Sequence, residues 1–246
     1  MLFGHANLDR WSNAVGARPS AAKRLELGEA KWLQFTFEAS NDPLGLFPAG
    51  LHPTIPVLLT MQIWDVTGGD LGPFRMAQVR ASCRAGIRIR ALHLNSVITS
   101  AEAGRILSEG WGYRCTPGEI ATNWRADRIE AEVKAEGGTV LQAVMRMPLP
   151  VAADDLQHVT NANIAKVDGA LRVLQVEPDI RTLGVQRGTP ELKQFDAHFW
   201  NVPDNAPRLP VIAAAADIEL SLDAVRFTQD PAQVAQKGTQ ELAAVS

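Results

Sequence analysis

The chain has 246 residues, 46% of them hydrophobic, and 24 Lys+Arg against 27 Asp+Glu give a formal net charge of −3. A chain of that length buries a sizeable core as one large or two small domains. The slightly acidic balance offers no electrostatic footing for nucleic acid. Cys83 and Cys115 form no paired-cysteine motif, so a reduced, cytoplasmic setting is the simplest expectation. The start, MLFGHANLDRW, meets charge too early for a signal peptide. No apolar run approaches the ~18 residues of a membrane span, and no repeat of solenoid period is present.

In chain order, residues 1–27 read as an irregular arm. Residues 31–39 (KWLQFTFEA) alternate, with Trp32, Gln34, Thr36 and Glu38 on one face and Leu33, Phe35 and Phe37 on the other, the pattern of a half-buried strand. Asn41 or Asp42 before Pro43 predicts the cap of a short helical turn. Residues 55–66 are apolar enough for a buried strand. Residues 74–83 and 86–96 read as a hairpin in which Ile87, Ile89, Ala91 and His93 share a face. The arginines at 75, 80, 84, 88 and 90 read as a basic patch or, more simply, as an exposed strand face.

Ser100 caps a predicted short helix over 100–109, which places Trp111 to Tyr113 on its exit loop. Residues 124–134 and 139–147 form a second predicted hairpin across Glu136-Gly137-Gly138. Residues 161–166 and 170–176 form a third across Val167-Asp168-Gly169. A strand is expected at 181–186, a loop with a helical turn at 188–198, and an irregular Pro-rich segment at 201–210. A long strand with a break near the alanines covers 211–227, and a helical or frayed tail follows from 229. Many strands, few short helices and no strand–helix alternation point to an antiparallel, β-rich α+β architecture.

Common chemical signatures are missing. His5, His52, His93, His158 and His198 lie far apart, without HxH or HExxH spacing, so no metal site is expected. There is no Walker loop, dinucleotide fingerprint or nucleophile-elbow serine, and no cofactor is expected.

Gly104-Arg105-x-Leu107-Ser108, followed by an aromatic, glycine and proline run through Pro117-Gly118, resembles the acetoacetate decarboxylases. Their segment reads G-R-E-L-S-x-(Y/F)-P-K-(K/x)-L, and its first lysine forms a Schiff base with a β-keto acid. Further pieces are similar in order and spacing: Asp42-Pro43-Leu44, Gly69-Asp70-Leu71-Gly72-Pro73-Phe74, Gly188-Thr189-Pro190-Glu191-Leu192 with Phe195-Asp196, and Leu209-Pro210-Val211. The resemblance runs from about Trp32 to Phe227. It implies a cone-shaped antiparallel β-barrel enclosing an apolar pocket, with a few short helices, assembled as a homo-oligomer. The chain then divides into a domain at 1–228, whose first 28 residues are an arm, and a tail at 229–246.

The departures bear on chemistry. Counting from Gly104, the family lysine falls on Gly112, its proline on Trp111 and the following residue on Tyr113, and no lysine lies between Lys31 and Lys134. A Schiff base needs a neutral amine, and Gly112 has no side chain. The family carboxylates fall on Met76 and near Leu59 or Thr60. The resemblance thus implies an enzyme acting on a small, mostly apolar carbonyl or polyketide-like organic acid by acid–base chemistry without an imine. The reaction would be that of a decarboxylase-like lyase, a cyclase, a dehydratase or an isomerase. The alternative is a non-catalytic carrier or sensor on the same fold. Candidate catalytic groups are Tyr113 as a hydrogen-bond donor, an inward His93 as general base, and Glu109 as a carboxylate. Candidate ligand contacts are Arg105, Trp111, Gly112, Met76, Gln62 and Gln78.

Overall fold

A computed structural model describes residues 3–39, 43–156, 158–202 and 205–242. The expected cap at Asn41 or Asp42 lies outside the described residues. The strands are β1 (Leu25–Ala39), β2 (His52–Pro53), β3 (Leu58–Val66), β4 (Phe74–Ala85), β5 (Arg88–Ile98), β6 (Cys115–Trp124), β7 (Arg128–Ala135), β8 (Gly138–Val151), β9 (Asn161–Val167), β10 (Ala170–Val176), β11 (Pro178–Phe195), β12 (Pro207–Leu222), β13 (Phe227–Gln229) and β14 (Thr239–Glu241). The longest helix among the described residues is α1 (Ala101–Trp111), capped by the Ser100 hydroxyl on the Ala103 N–H and ended by Gly112 at φ 70°.

Strand order makes a closed ring: β5-β6-β7-β8-β11-β12-β1-β3-β4, with β4 paired back to β5. Closure removes the exposed edges that so much strand would otherwise present. All ring pairings are antiparallel except β5 with β6, and β9 also joins β5 in parallel. The hairpin of β9 and β10 then continues to β13 and β14 as a flap off the ring.

Alternation along the strands fixes two cores. Leu33, Phe35 and Phe37 of β1, Met61 and Ile63 of β3, Val79 of β4, Val133 of β7 and Ala143 of β8 share one cluster that fills the ring. Residues of opposite parity, Trp32, Trp64, Met76, Ala214 and Ala216, pack outside it with α1, Ala165 and Leu174 in a second cluster. The ring interior is therefore filled, and the cavity lies on the opposite face of β1, β3 and β4, closed by the ends of β5 and β12 and by residues 54–56 and 155–159.

Several boundaries move. β1 starts at Leu25, six residues before the expected strand, so the end of the arm belongs to the ring. Residues 188–195 are not a loop; they continue β11, with register shifts at Thr182/Gly184, Arg187/Thr189 and Leu192/Gln194 absorbing the glycines and proline. Residues 207–210 are strand, not irregular. β12 runs unbroken through Ala213 to Ala216, pairing with β1 and β11. Trp124 ends β6 instead of opening the second hairpin. The expected boundary at 228 cuts β13, and the tail pairs as β14 after a four-residue helical turn. Ile87, in the turn, and Ile89, at the start of β5, are exposed at 91% and 54% because they sit at the hairpin tip, while His93, farther along the same unshifted register, is buried.

Candidate functional site

Three adjacent strands carry a polar residue at every second position on the outer face of the ring. Gln34 pairs with Gln62 and Gln62 with Gln78; Thr36 pairs with Thr60 and Thr60 with Arg80. Two rows result, one of glutamines and one of Thr36, Thr60 and Arg80. Trp32, Trp64 and Met76 make the next row and seal it from below. A second layer covers this face, so the polar side chains are interior rather than solvent-facing.

The upper row floors a cavity of about 550 Å³. Gln34, Thr36, Thr54, Thr60, Arg80 and Ser82 supply polar atoms; Leu58, Ile89, Val211 and Ile212 supply apolar wall; Asp155, Leu156, Val159 and a second cation, Arg187, close one side.

Arg80 dominates the electrostatics. It is 4% exposed, and Nη1 donates to the Val159 carbonyl at 2.9 Å and to Asn161 Oδ1 at 2.6 Å. Its Nε has no partner, and among the described residues no carboxylate lies within ion-pair distance of it. Burial pulls its pKa down to about 10, which leaves the guanidinium charged at neutral pH. A buried cation without a counter-charge is costly, and here the side chain that carries it lines the cavity.

Behind Arg80 lies a continuous amide network. Asn161 Nδ2 donates to Gln78 Oε1 at 3.1 Å and to the Tyr113 hydroxyl at 3.0 Å. Gln78 Nε2 donates to Gln62 Oε1 at 3.1 Å, Gln62 Nε2 to Gln34 Oε1 at 2.8 Å, and Gln34 Nε2 to Thr36 Oγ1 at 3.2 Å. His93 stands edge-on to Tyr113 at 5.1 Å, its Nε2 accepting from the Arg114 N–H at 3.4 Å. Burial, then the charge of Arg80, lowers His93 to about 3. The same two causes lower His158 to about 4. Both rings are neutral at pH 7, and neither is basic enough to take a proton there with ease. Burial raises Tyr113, so it stays a phenol.

Of the residues singled out from the sequence, Tyr113, His93, Gln62 and Gln78 come together in and beside this network. Met76 lies one row deeper, in the apolar seal. Gly112 ends α1 with a left-handed backbone; a Cβ there would meet Leu174 Cδ1 at 2.8 Å and Ala165 Cβ at 2.9 Å. Trp111 is buried against the ring's outside and donates to the Asp223 carbonyl at 2.8 Å. Arg105 and Glu109 sit on the exposed face of α1, where Arg105 bridges Glu102 and Glu109, each at 2.8 Å.

Sequence reading missed Arg80, Thr36, Gln34 and Asn161. Arg80 and Arg90, counted in an exposed strand face, are 4% and 5% exposed. The usable signal was the pairs two residues apart on successive strands: Gln34 with Thr36, Thr60 with Gln62, Gln78 with Arg80.

No lysine reaches the cavity. Lys31, Lys134 and Lys193 are exposed and meet Asp217, Glu132 and Glu191; Lys166 Nζ bonds the Ser12 carbonyl; Lys23 and Lys237 are exposed. Among the described residues no cluster of His, Cys, Asp and Glu suits a metal ion, and no helix is long and apolar enough to cross a membrane.

No family model matches the sequence, and no curated protein matches it. Solved structures do match. An acetoacetate decarboxylase superposes with a TM-score of 0.72 at 14% identity, over 88% of this chain and 95% of its own. The acetoacetate decarboxylase of Legionella pneumophila subsp. pneumophila str. Philadelphia 1 gives 0.69 at 15%, over 83% and 86%. The enduracididine biosynthesis enzyme MppR, complexed with pyruvate, gives 0.66 at 15%, over 92% of each chain.

Proposed function

We propose, taking the acetoacetate-decarboxylase fold as premise, that this chain is a divergent member of that family and an enzyme for a small organic acid bearing a carbonyl. Its substrate carboxylate would pair with Arg80, and its carbon chain would lie against Leu58, Ile89, Val211 and Ile212. The observation that carries the reading is the buried guanidinium of Arg80, which has no acidic partner among the described residues and borders a cavity of about 550 Å³. An organic anion supplies the missing charge, and its oxygens take the unused N–H groups in a low-dielectric setting where such bonds are strong. MppR, bound to pyruvate, lends the substrate class further support.

Chemistry here runs without an imine, because no lysine lines the cavity. What remains is polarisation. Negative charge that develops on a carbonyl oxygen beside Arg80 is stabilised by the guanidinium and by fixed hydrogen-bond donors. Tyr113, a phenol hydrogen-bonded through Asn161 to the same guanidinium, is the proposed proton donor of the network; His93 holds its ring edge-on.

A carrier or sensor is the second reading. It is favoured by one observation: the sole acidic residue of the cavity wall, Asp155, is exposed. Incubating the protein with short 2-oxo and 3-oxo acids, with products followed by mass spectrometry, separates the two. Turnover that is lost in Arg80→Met supports the enzyme. Tight binding with every acid recovered unchanged supports the carrier, and binding indifferent to Arg80→Met removes both. Borohydride treatment in the presence of acetoacetate is expected to leave every lysine unmodified.

A further inference from the structure

Arg187 stands on β11, with β12, β1 and β3 between it and Arg80 on β4, and both side chains line the same cavity. Arg187 pairs with Ala214 of β12, and Ala214 pairs with Gln34 of β1. It therefore extends the glutamine row by two strands. Ala214 is the one short side chain in that row from Arg187 to Gln78, and it lines the cavity. A longer residue there would stand between Arg187 and the rest of the floor.

Like Arg80, Arg187 has no counter-charge. Its Nη2 donates to the main-chain carbonyl of Asp155, which offers a dipole and not a charge. Its Nε is buried without a partner. Among the described residues no carboxylate lies within ion-pair distance of it, that of the exposed Asp155 included. Two like charges thus share one cavity with nothing fixed in the chain to offset them.

The distance between them is bounded. Arg80 Nη1 donates to the Val159 carbonyl at 2.9 Å, and Arg187 donates to the Asp155 carbonyl. Those acceptors are four positions apart in one chain segment, so they lie no more than about 14 Å from each other. A short carbon chain with a carboxylate at each end spans such a gap.

We infer that the cavity takes a dianion, a dicarboxylic acid held with one carboxylate at Arg80 and the other at Arg187. Its chain crosses Ala214 and Ile212. Two carboxylates balance two guanidinium groups, each able to form charge-assisted hydrogen bonds. A phosphate at the second end would carry close to two negative charges by itself and overshoot the balance. Arg187 is then the residue that separates diacids from monoacids of equal length. The inference rests on the reading that Arg80 pairs with the first carboxylate.

The test is calorimetric titration of the full chain with butanedioate, hexanedioate and octanedioate, each against the monoacid of its own length: butanoate, hexanoate and octanoate. The best diacid is expected to bind more than about tenfold more tightly than its monoacid. Arg187→Gln is expected to bring that ratio close to one while hexanoate still binds, and Arg187→Lys, which keeps the charge, to retain a preference. Hexanoate binding that depends on Arg80, combined with no diacid preference or with a preference that survives Arg187→Gln, overturns the inference alone. So does an equal loss of monoacid and diacid in an Arg187→Gln variant whose circular dichroism matches the parent, since both cations would then serve one carboxylate. If no acid of either series binds, or if all bind equally to Arg80→Met, the reading of the cavity falls and the inference with it.

Discussion

Nη1 of Arg80 donates to Oδ1 of Asn161 at 2.6 Å, tying β4 to β9 across 81 positions of sequence. The bond joins the ring to the flap, and it leaves the positive charge uncompensated because an amide oxygen carries only a partial charge. Asn161→Asp is the sharpest probe of that arrangement. It replaces the amide with a carboxylate at the same spot and forms the ion pair that the native protein lacks. Affinity for hexanoate should fall more than about tenfold while the protein stays folded. Undiminished affinity would mean that the free charge of Arg80 is not what holds the anion.

Gly112 supports a second prediction. Its φ of 70° and the contacts awaiting a Cβ, Leu174 at 2.8 Å and Ala165 at 2.9 Å, leave no room for any side chain. Gly112→Ala should cost about 1–3 kcal/mol, read as a lower denaturant midpoint. A variant as stable as the parent would show that the αL turn and the flap relax freely around that position.

Strand identity, the Ser100-capped helix and the three hairpins were legible in the sequence because alternation and turn chemistry are local. Ring closure was implied by the family resemblance and not by any local pattern, since the pairings that make it, β1 with β12 and β8 with β11, join segments far apart in the sequence. Gln34 and Thr36 were read as the outward face of a half-buried strand. Nothing in a two-residue period says whether a second layer covers that face. Arg80 was lost in the same way, grouped with Arg75, Arg84 and Arg88, which share its strands but not its burial. Gly112 was read as the position on which the family lysine falls, but the packing that keeps it bare comes from Leu174 and Ala165, more than fifty residues downstream.

His93, together with His158, is expected to weaken the fold in acid. Its pKa falls from an ordinary 6.5 to about 3 in the folded protein through burial and the charge of Arg80. Between those values the unfolded chain binds the proton and the folded chain does not, so stability declines as pH drops from about 6.5 towards 3. The loss from this residue is on the order of several kcal/mol at the bottom of the window. His93→Gln, which keeps an acceptor for the Arg114 N–H, should flatten the pH dependence of the unfolding midpoint there. An unchanged acid slope would place the sensitivity elsewhere.

Trp111 and Arg105 should separate support from binding. Trp111→Phe removes the 2.8 Å bond to the Asp223 carbonyl and should cost about 1 kcal/mol of stability. Arg105→Ala breaks only exposed ion pairs and should barely move the unfolding midpoint. Both variants should bind hexanoate as the parent does. A large affinity loss in Arg105→Ala would bring the outer face of α1 into the site.

The crowding around Gly112 also says where a carbonyl-condensing nucleophile belongs if one is to be engineered into this scaffold. Position 112, on which the resemblance places the family lysine, is walled in by aliphatic neighbours. Position 80 already aims a long cationic side chain at open space, and the burial that lowers a guanidinium there would lower an ammonium too. Arg80→Lys is thus the one-codon route to reductive trapping with pyruvate, and the scaffold would acquire its reactive amine from a different strand.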